Sequence, residues 1–135
     1  MDTNPKGTES SAKIVVIDDD CDNLAYLVAL LSRKDIPCSA FAHSEDALDY
    51  ICSNPVSVVQ TDVFMPEVDG VQLITAIKGC RPEVAVIAMS GYQESYLRCM
   101  EALGATAGLS KPVDPTLLMA TLARCLDPDF TGKLC

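Results

Sequence analysis

The chain lacks an apolar run long enough to span a bilayer, a signal-peptide pattern and any cluster of basic residues, and each absence removes a class of function. Without a spanning segment or an export signal, a soluble cytoplasmic protein with no membrane partner is expected. Ten Lys and Arg stand against nineteen Asp and Glu, a formal net charge of -9, and the ten are scattered rather than striped. Phosphate backbones are gripped by clustered cations, so nucleic acid is not expected as a direct partner. A single histidine, His43, and the absence of any C-x-x-C pair argue against a zinc site. Seven cysteines at no framework spacing suit a reducing compartment, where each would act as a small buried hydrophobe. His43 itself reads as a loop residue before a helix capped by Ser44 rather than as a phosphoaccepting histidine. There is no internal repeat and no low-complexity stretch, and the length fits one domain.

What is present is an alternation of strand and helix signals from residue 13 to about 126. Residues 14–17 (IVVI) form a buried-strand run, after which Leu24, Leu27, Val28 and Leu31 recur at helical spacing until Lys34-Asp35. Residues 36–41 are a weaker strand whose Pro37 suits a sheet edge, because proline cannot donate to a ladder. Ser44 caps a helix over 45–52 that Asn54-Pro55 ends. A third strand, 56–61, precedes the loop DVFMPEVDG and a helix presenting Leu73, Ile74 and Ile77. Strand 84–89 is the most apolar, and Leu97, Met100 and Leu103 then line a helix stopped by Gly104. A short strand near 107–110 leads to a last helix, 114–126, with Asp114 as cap and Pro115 in its first turn. Five such units predict a doubly wound α/β fold with a parallel sheet and helices on both faces.

Four polar positions fall directly after these strands: the run Asp18-Asp19-Asp20, then Asp62, Ser90 and Lys111. Parallel strands gather their carboxyl ends on one edge, so these residues should meet in space. Taken singly, each has an ordinary explanation. The acid run suits a helix N-terminus, which we prefer for Asp20 and Asp22; Asp62 could cap a turn, Ser90-Gly91 could be a turn, and Lys111 could be a surface lysine. Taken together they make a carboxylate pocket with a hydroxyl and an ammonium, equipped for phosphoryl chemistry on a divalent metal. Two carboxylates about 5 Å apart repel by roughly 3 kcal/mol at an effective dielectric near 20, a penalty that a cation removes.

The strand-plus-acids IVVIDDD, the loop from Asp62 to Gly70, Met89-Ser90-Gly91 and Lys111-Pro112, in this order, resemble the receiver domain of two-component response regulators. The match runs from about 13 to 126, with 1–12 as a flexible leader and 127–135 as a tail too short for an output domain, which suits either a single-domain regulator or a receiver taken from a longer chain. The resemblance implies a flavodoxin-like sheet of order 2-1-3-4-5 and a phosphorylation-dependent switch rather than an enzyme with its own substrate. Asp62 would be the phosphoacceptor. Mg2+ would be held by Asp19 and Asp62 directly, by the backbone carbonyl of Phe64, and by Asp18 through water. Ser90 and Lys111 would contact the phosphoryl oxygens.

The partners implied are a histidine kinase or histidine phosphotransfer protein, and an output domain or downstream protein at the face of helix 4, strand 5 and helix 5. Gly108 departs from the family, which often has an aromatic three residues before the lysine, and Tyr92 or Tyr96 is the candidate substitute. The last helix lacks the arginine-rich face of the large DNA-binding class. Phe64 and Tyr92 are expected to overlook the phosphoryl group and hinder water. Two rivals stay open: a phosphorylation-independent pseudo-receiver, and a small metal-dependent phosphohydrolase. The latter would want a proton-donating carboxylate two residues after the nucleophile, where this chain has Phe64.

Overall fold

The computed structural model describes residues 13–65, 69–91 and 94–126, and of residues 94–96 only the backbone. Among these residues ten elements alternate strictly: β1 (Ile14–Ile17), α1 (Cys21–Arg33), β2 (Cys38–Phe41), α2 (Ser44–Ser53), β3 (Val58–Asp62), α3 (Gly70–Cys80), β4 (Ala85–Ser90), α4 (Glu94–Ala102), β5 (Ala107–Ser110) and α5 (Pro115–Cys125). The five strands form one parallel sheet of order β2-β1-β3-β4-β5, as predicted. Each strand switches faces at every residue, so the runs that read as uniformly apolar serve two cores. Val15 and Ile17 of β1 join Ile51, Leu73, Ile77, Leu97 and Met100 from α2, α3 and α4. Ile14 and Val16 join Leu27, Leu31, Leu118 and Leu122 from α1 and α5.

Helix ends follow local chemistry. Asp20, Asp69 and Asp114 are the N-caps of α1, α3 and α5, and each side chain accepts from backbone N–H groups of its first turn. Asp35 (φ 58) turns the chain left-handed after α1, and the Ile36 N–H closes back onto the Leu31 carbonyl at 2.9 Å. Gly104 (φ +122) does the same after α4.

Several local expectations shift. Strand β2 starts at Cys38, so Pro37 precedes the edge strand rather than sitting within it. Ser44 is the first residue of α2, and His43 holds the N-cap position without a side-chain cap bond. Asp62 and Ser90 are the last residues of β3 and β4, because the ladder continues through Asp62↔Met89 and Ser90↔Ser110. Leu103 falls beyond α4 and is exposed. The cysteines depart furthest from the expected buried hydrophobes. Cys21 and Cys99 are exposed, and Cys52 and Cys80 are joined in a disulfide between the ends of α2 and α3. Sequence spacing carries no sign of that pair, since 28 positions separate them. The stretches 1–12 and 127–135, together with Pro66, lie outside the described residues.

Candidate functional site

Parallel β1, β3, β4 and β5 bring Asp18, Asp62, Ser90 and Lys111 to one edge of the sheet. Asp18 follows β1 directly, and its N–H reaches the Phe41 carbonyl at 3.1 Å, extending the ladder to β2 by one rung. Its side chain is wholly buried. One carboxylate oxygen of Asp18 accepts the Asp20 N–H at 2.9 Å, and the other accepts from the Asn23 amide and the Lys111 ammonium. Lys111 crosses from the end of β5 and sits 3.0 Å from Asp18 Oδ2 and 3.1 Å from Asp62 Oδ2. Its own N–H donates to the Ser90 carbonyl at 2.8 Å, and the Lys111–Pro112 peptide is cis. The second Asp62 oxygen, Oδ1, accepts the Phe64 N–H at 3.0 Å.

Burial pushes the Asp62 carboxyl above the usual range. The Phe64 N–H and Lys111 pull it down, and the charge of Asp18 adds to the rise, leaving it raised overall. For Lys111 burial works downward, but the hydrogen bond from its ammonium to Asp18 and the charges of Asp62 and Asp18 outweigh it, so its ammonium is held more firmly than usual. Asp18, Asp19 and Asp62 each present an oxygen within 4.8 Å of the others. Three carboxylates against one ammonium leave a local excess of negative charge, and every donor is a hard oxygen. That donor set fits a small divalent cation that prefers oxygen ligands.

The structure therefore brings together Asp18, Asp19, Asp62 and Lys111. Ser90 lies wholly buried on the same edge, one strand over from Asp62. Phe64 is half exposed and bridges back to Asp69 across the loop. Asp20 is an N-cap and Asp22 a first-turn acid, the plain roles expected of them. Tyr92 and the side chain of Tyr96 lie outside the described residues.

At Gly108 a side chain would begin 3.0 Å from Leu97 Cβ, because α4 rests directly on β5 there. Leu97 thus occupies the space that an aromatic at this position would need. Sequence reasoning missed Asn23, whose amide braces Asp18; a polar residue in a helix's first turn carries no signal of its own. Gly70 has no positive φ, and a Cβ on it would lie 2.6 Å from Val63 Cβ and 2.7 Å from the Val63 carbonyl oxygen. It is small so that α3 can start against the strand end carrying Asp62.

Comparison with known proteins agrees with this geometry. The family model of the response regulator receiver domain matches residues 14–123. The transcriptional regulatory protein ZraR of Escherichia coli K12 is 33% identical over 121 residues, which are 88% of this chain and 27% of ZraR. The sensor histidine kinase RcsC of Salmonella typhimurium is 33% identical over 112 residues, 82% of this chain and 12% of RcsC. The chain thus spans about a quarter or less of these curated relatives. A response regulator receiver domain protein from Clostridium thermocellum superposes with a TM-score of 0.79 at 28% identity, covering 85% of this chain and 94% of that one. The receiver domain of NtrX from Brucella abortus, at 24% identity, shares the fold with a TM-score of 0.80 over 86% of this chain and 99% of its own. Since the family match runs from the first residue of β1 into α5 and takes in every residue of the edge described above, the chain belongs to the response regulator receiver domains of two-component signalling systems.

Proposed function

We propose that this receiver takes a phosphoryl group on Asp62 from a histidine kinase or histidine phosphotransfer protein and transmits the result as a conformational change. The observation that carries the reading is the position of the Lys111 ammonium, 3.0 and 3.1 Å from carboxylates of β1 and β3, inside a group of three acids. In the transfer an Asp62 oxygen attacks phosphorus, the P–N bond of the donor phosphohistidine breaks, and the imidazole leaves with a proton. A carboxylate is a competent nucleophile here once the charge gathering on the phosphoryl oxygens is neutralised. Lys111 would supply one positive charge to a phosphoryl oxygen and the Ser90 hydroxyl a hydrogen bond. Asp19, Asp62 and the Phe64 carbonyl would hold Mg2+, with Asp18, its oxygens already engaged by Lys111, Asn23 and Asp20, acting through water. Mg2+ would offset carboxylate repulsion and bind a phosphoryl oxygen.

Residues 13–126 make up the working unit on this reading, in the cytoplasm. The signal would be read by an output domain or downstream protein at the α4–β5–α5 face, where Leu97 rests on Gly108. Incubation with a phosphorylated histidine phosphotransfer protein and Mg2+ tests the proposal. Label should appear on the wild type as an acyl phosphate cleaved by hydroxylamine, and Lys111→Ala should accept it at least tenfold more slowly. Label on a residue other than Asp62, or none, would favour the phosphorylation-independent interaction module.

A further inference from the structure

A second chemically competent group lies at the opposite edge of the sheet. Helices α2 and α3 run back against the strands they follow, so their C-terminal ends stand at the amino edge, away from Asp62. Cys52 and Cys80 occupy those ends with Cα atoms 5.7 Å apart, a spacing from which a disulfide closes without backbone movement. Both residues are solvent-exposed. A second tie does not depend on sulfur. Arg81, the C-cap of α3, donates from Nε to the Ile51 carbonyl at 3.0 Å and from Nη2 to the Cys52 carbonyl at 3.4 Å, capping the end of α2. The guanidinium is thus a tie between the two helix ends that involves neither sulfur. The other described cysteines, Cys21, Cys38, Cys99 and Cys125, are free.

We propose that Cys52 and Cys80 form a reversible thiol–disulfide modification site, opened and closed by small-molecule thiols and disulfides of the glutathione type, and independent of the phosphoryl chemistry at Asp62. In closure, one of the two thiolates attacks glutathione disulfide, whose S–S bond breaks to release one glutathione thiolate. The second cysteine thiolate then attacks the mixed disulfide and releases the other glutathione. Two electrons pass from the protein thiols to the glutathione disulfide, and the two thiol protons end on the two glutathiones. The Arg81 contacts hold the second thiol near the first, so ring closure outruns attack by another glutathione and the mixed disulfide does not accumulate. Exposure of both residues leaves the bond open to reduction in the folded protein. The oxidised form fastens α2 to α3 across a segment that contains β3.

The test is peptide mapping of the full chain, reduced and then incubated with glutathione disulfide, with trapping of free thiols. A 52–80 linked peptide should form in the folded protein, lighter by about two hydrogens than the dithiol, and dithiothreitol should reverse it without denaturant. The oxidised form should melt about 10 °C higher than the reduced form, as expected for closing a loop of this length. Arg81→Ala should close severalfold more slowly. Cys80→Ser should lose the redox-dependent melting shift while accepting phosphoryl groups at the wild-type rate. The inference is overturned if Cys52 and Cys80 end as two separate glutathione adducts or stay free, or if the bond reopens only on unfolding. It is also overturned if Cys80→Ser alters phosphoryl acceptance.

Discussion

Replacing Gly70 by alanine should damage this fold more than any other single-methyl addition among its described glycines. The new Cβ would stand 2.6 Å from Val63 Cβ and 2.7 Å from the Val63 carbonyl oxygen. Ordinary contact begins near 3.4 Å, so atoms must separate by about 0.7 Å or more. One of the two is backbone, in a residue wholly buried beside Asp62 whose N–H is held by the Met89 carbonyl at 3.1 Å. No flexible side-chain end is available to yield. Overpacking of this kind costs roughly 1–3 kcal/mol, and the backbone clash places Gly70→Ala at the upper end, about 3 kcal/mol. In urea the midpoint should fall by about 2 M at an unchanged slope. Gly79→Ala supplies the control. It lies in α3, no described residue stands within 4 Å of its Cβ position, and it should gain about 0.5–1 kcal/mol from helix propensity alone. If Gly70→Ala melts within about 0.5 kcal/mol of the wild type, the close-approach account of that residue fails.

Gln60 is fully buried in β3 and its side-chain oxygen has no partner among the described residues, so Gln60→Leu should raise stability by about 1 kcal/mol or more in denaturant titration; a clear loss would mean that the oxygen is satisfied by water. Because the folded Asp62 carboxyl titrates above its ordinary value of 3.8, chiefly through burial, its ionisation costs stability: the protonated form's advantage is complete below that value and is lost as pH rises through the folded one. Without metal, Asp62→Asn should therefore melt higher than the wild type at pH 7, with the gap closing in acid. Mg2+ at about a hundred times its dissociation constant should add roughly 2.7 kcal/mol to the wild type and much less to the variant. A variant that melts lower at pH 7 would contradict the sign. Finally, Phe64→Ala should shorten the acyl-phosphate lifetime severalfold by admitting water past the loop; an unchanged or longer lifetime would remove the ring from the account.

Much of this architecture is legible in the sequence, for physical reasons. Uniformly apolar runs such as residues 14–17 and 84–89 fit strands buried on both faces, and the leucines at helical spacing fit the covering layers. From there the parallel topology alone brings Asp18, Asp62, Ser90 and Lys111 to one edge. Strand limits moved by one or two residues because side-chain pattern does not report where a ladder ends: Asp62 and Ser90 are polar yet still paired. Long-range geometry stayed hidden. The Cys52–Cys80 bond, the Asn23 brace on Asp18 and the closeness of Gly70 to Val63 depend on how separate elements pack, and no local spacing encodes that. Gly108 was visible as a departure from the family, but its cause, Leu97 pressed onto β5, was not.

The central claim is that the carboxyl of Asp62 becomes esterified to phosphate within this acid cluster. Intact mass measurement after incubation with acetyl phosphate and Mg2+ tests it most directly. The wild type should gain one phosphoryl group, the gain should vanish when Mg2+ is chelated, and Asp62→Asn should show none. An equal gain in Asp62→Asn, or no gain by a folded, Mg2+-saturated wild type, would contradict the account.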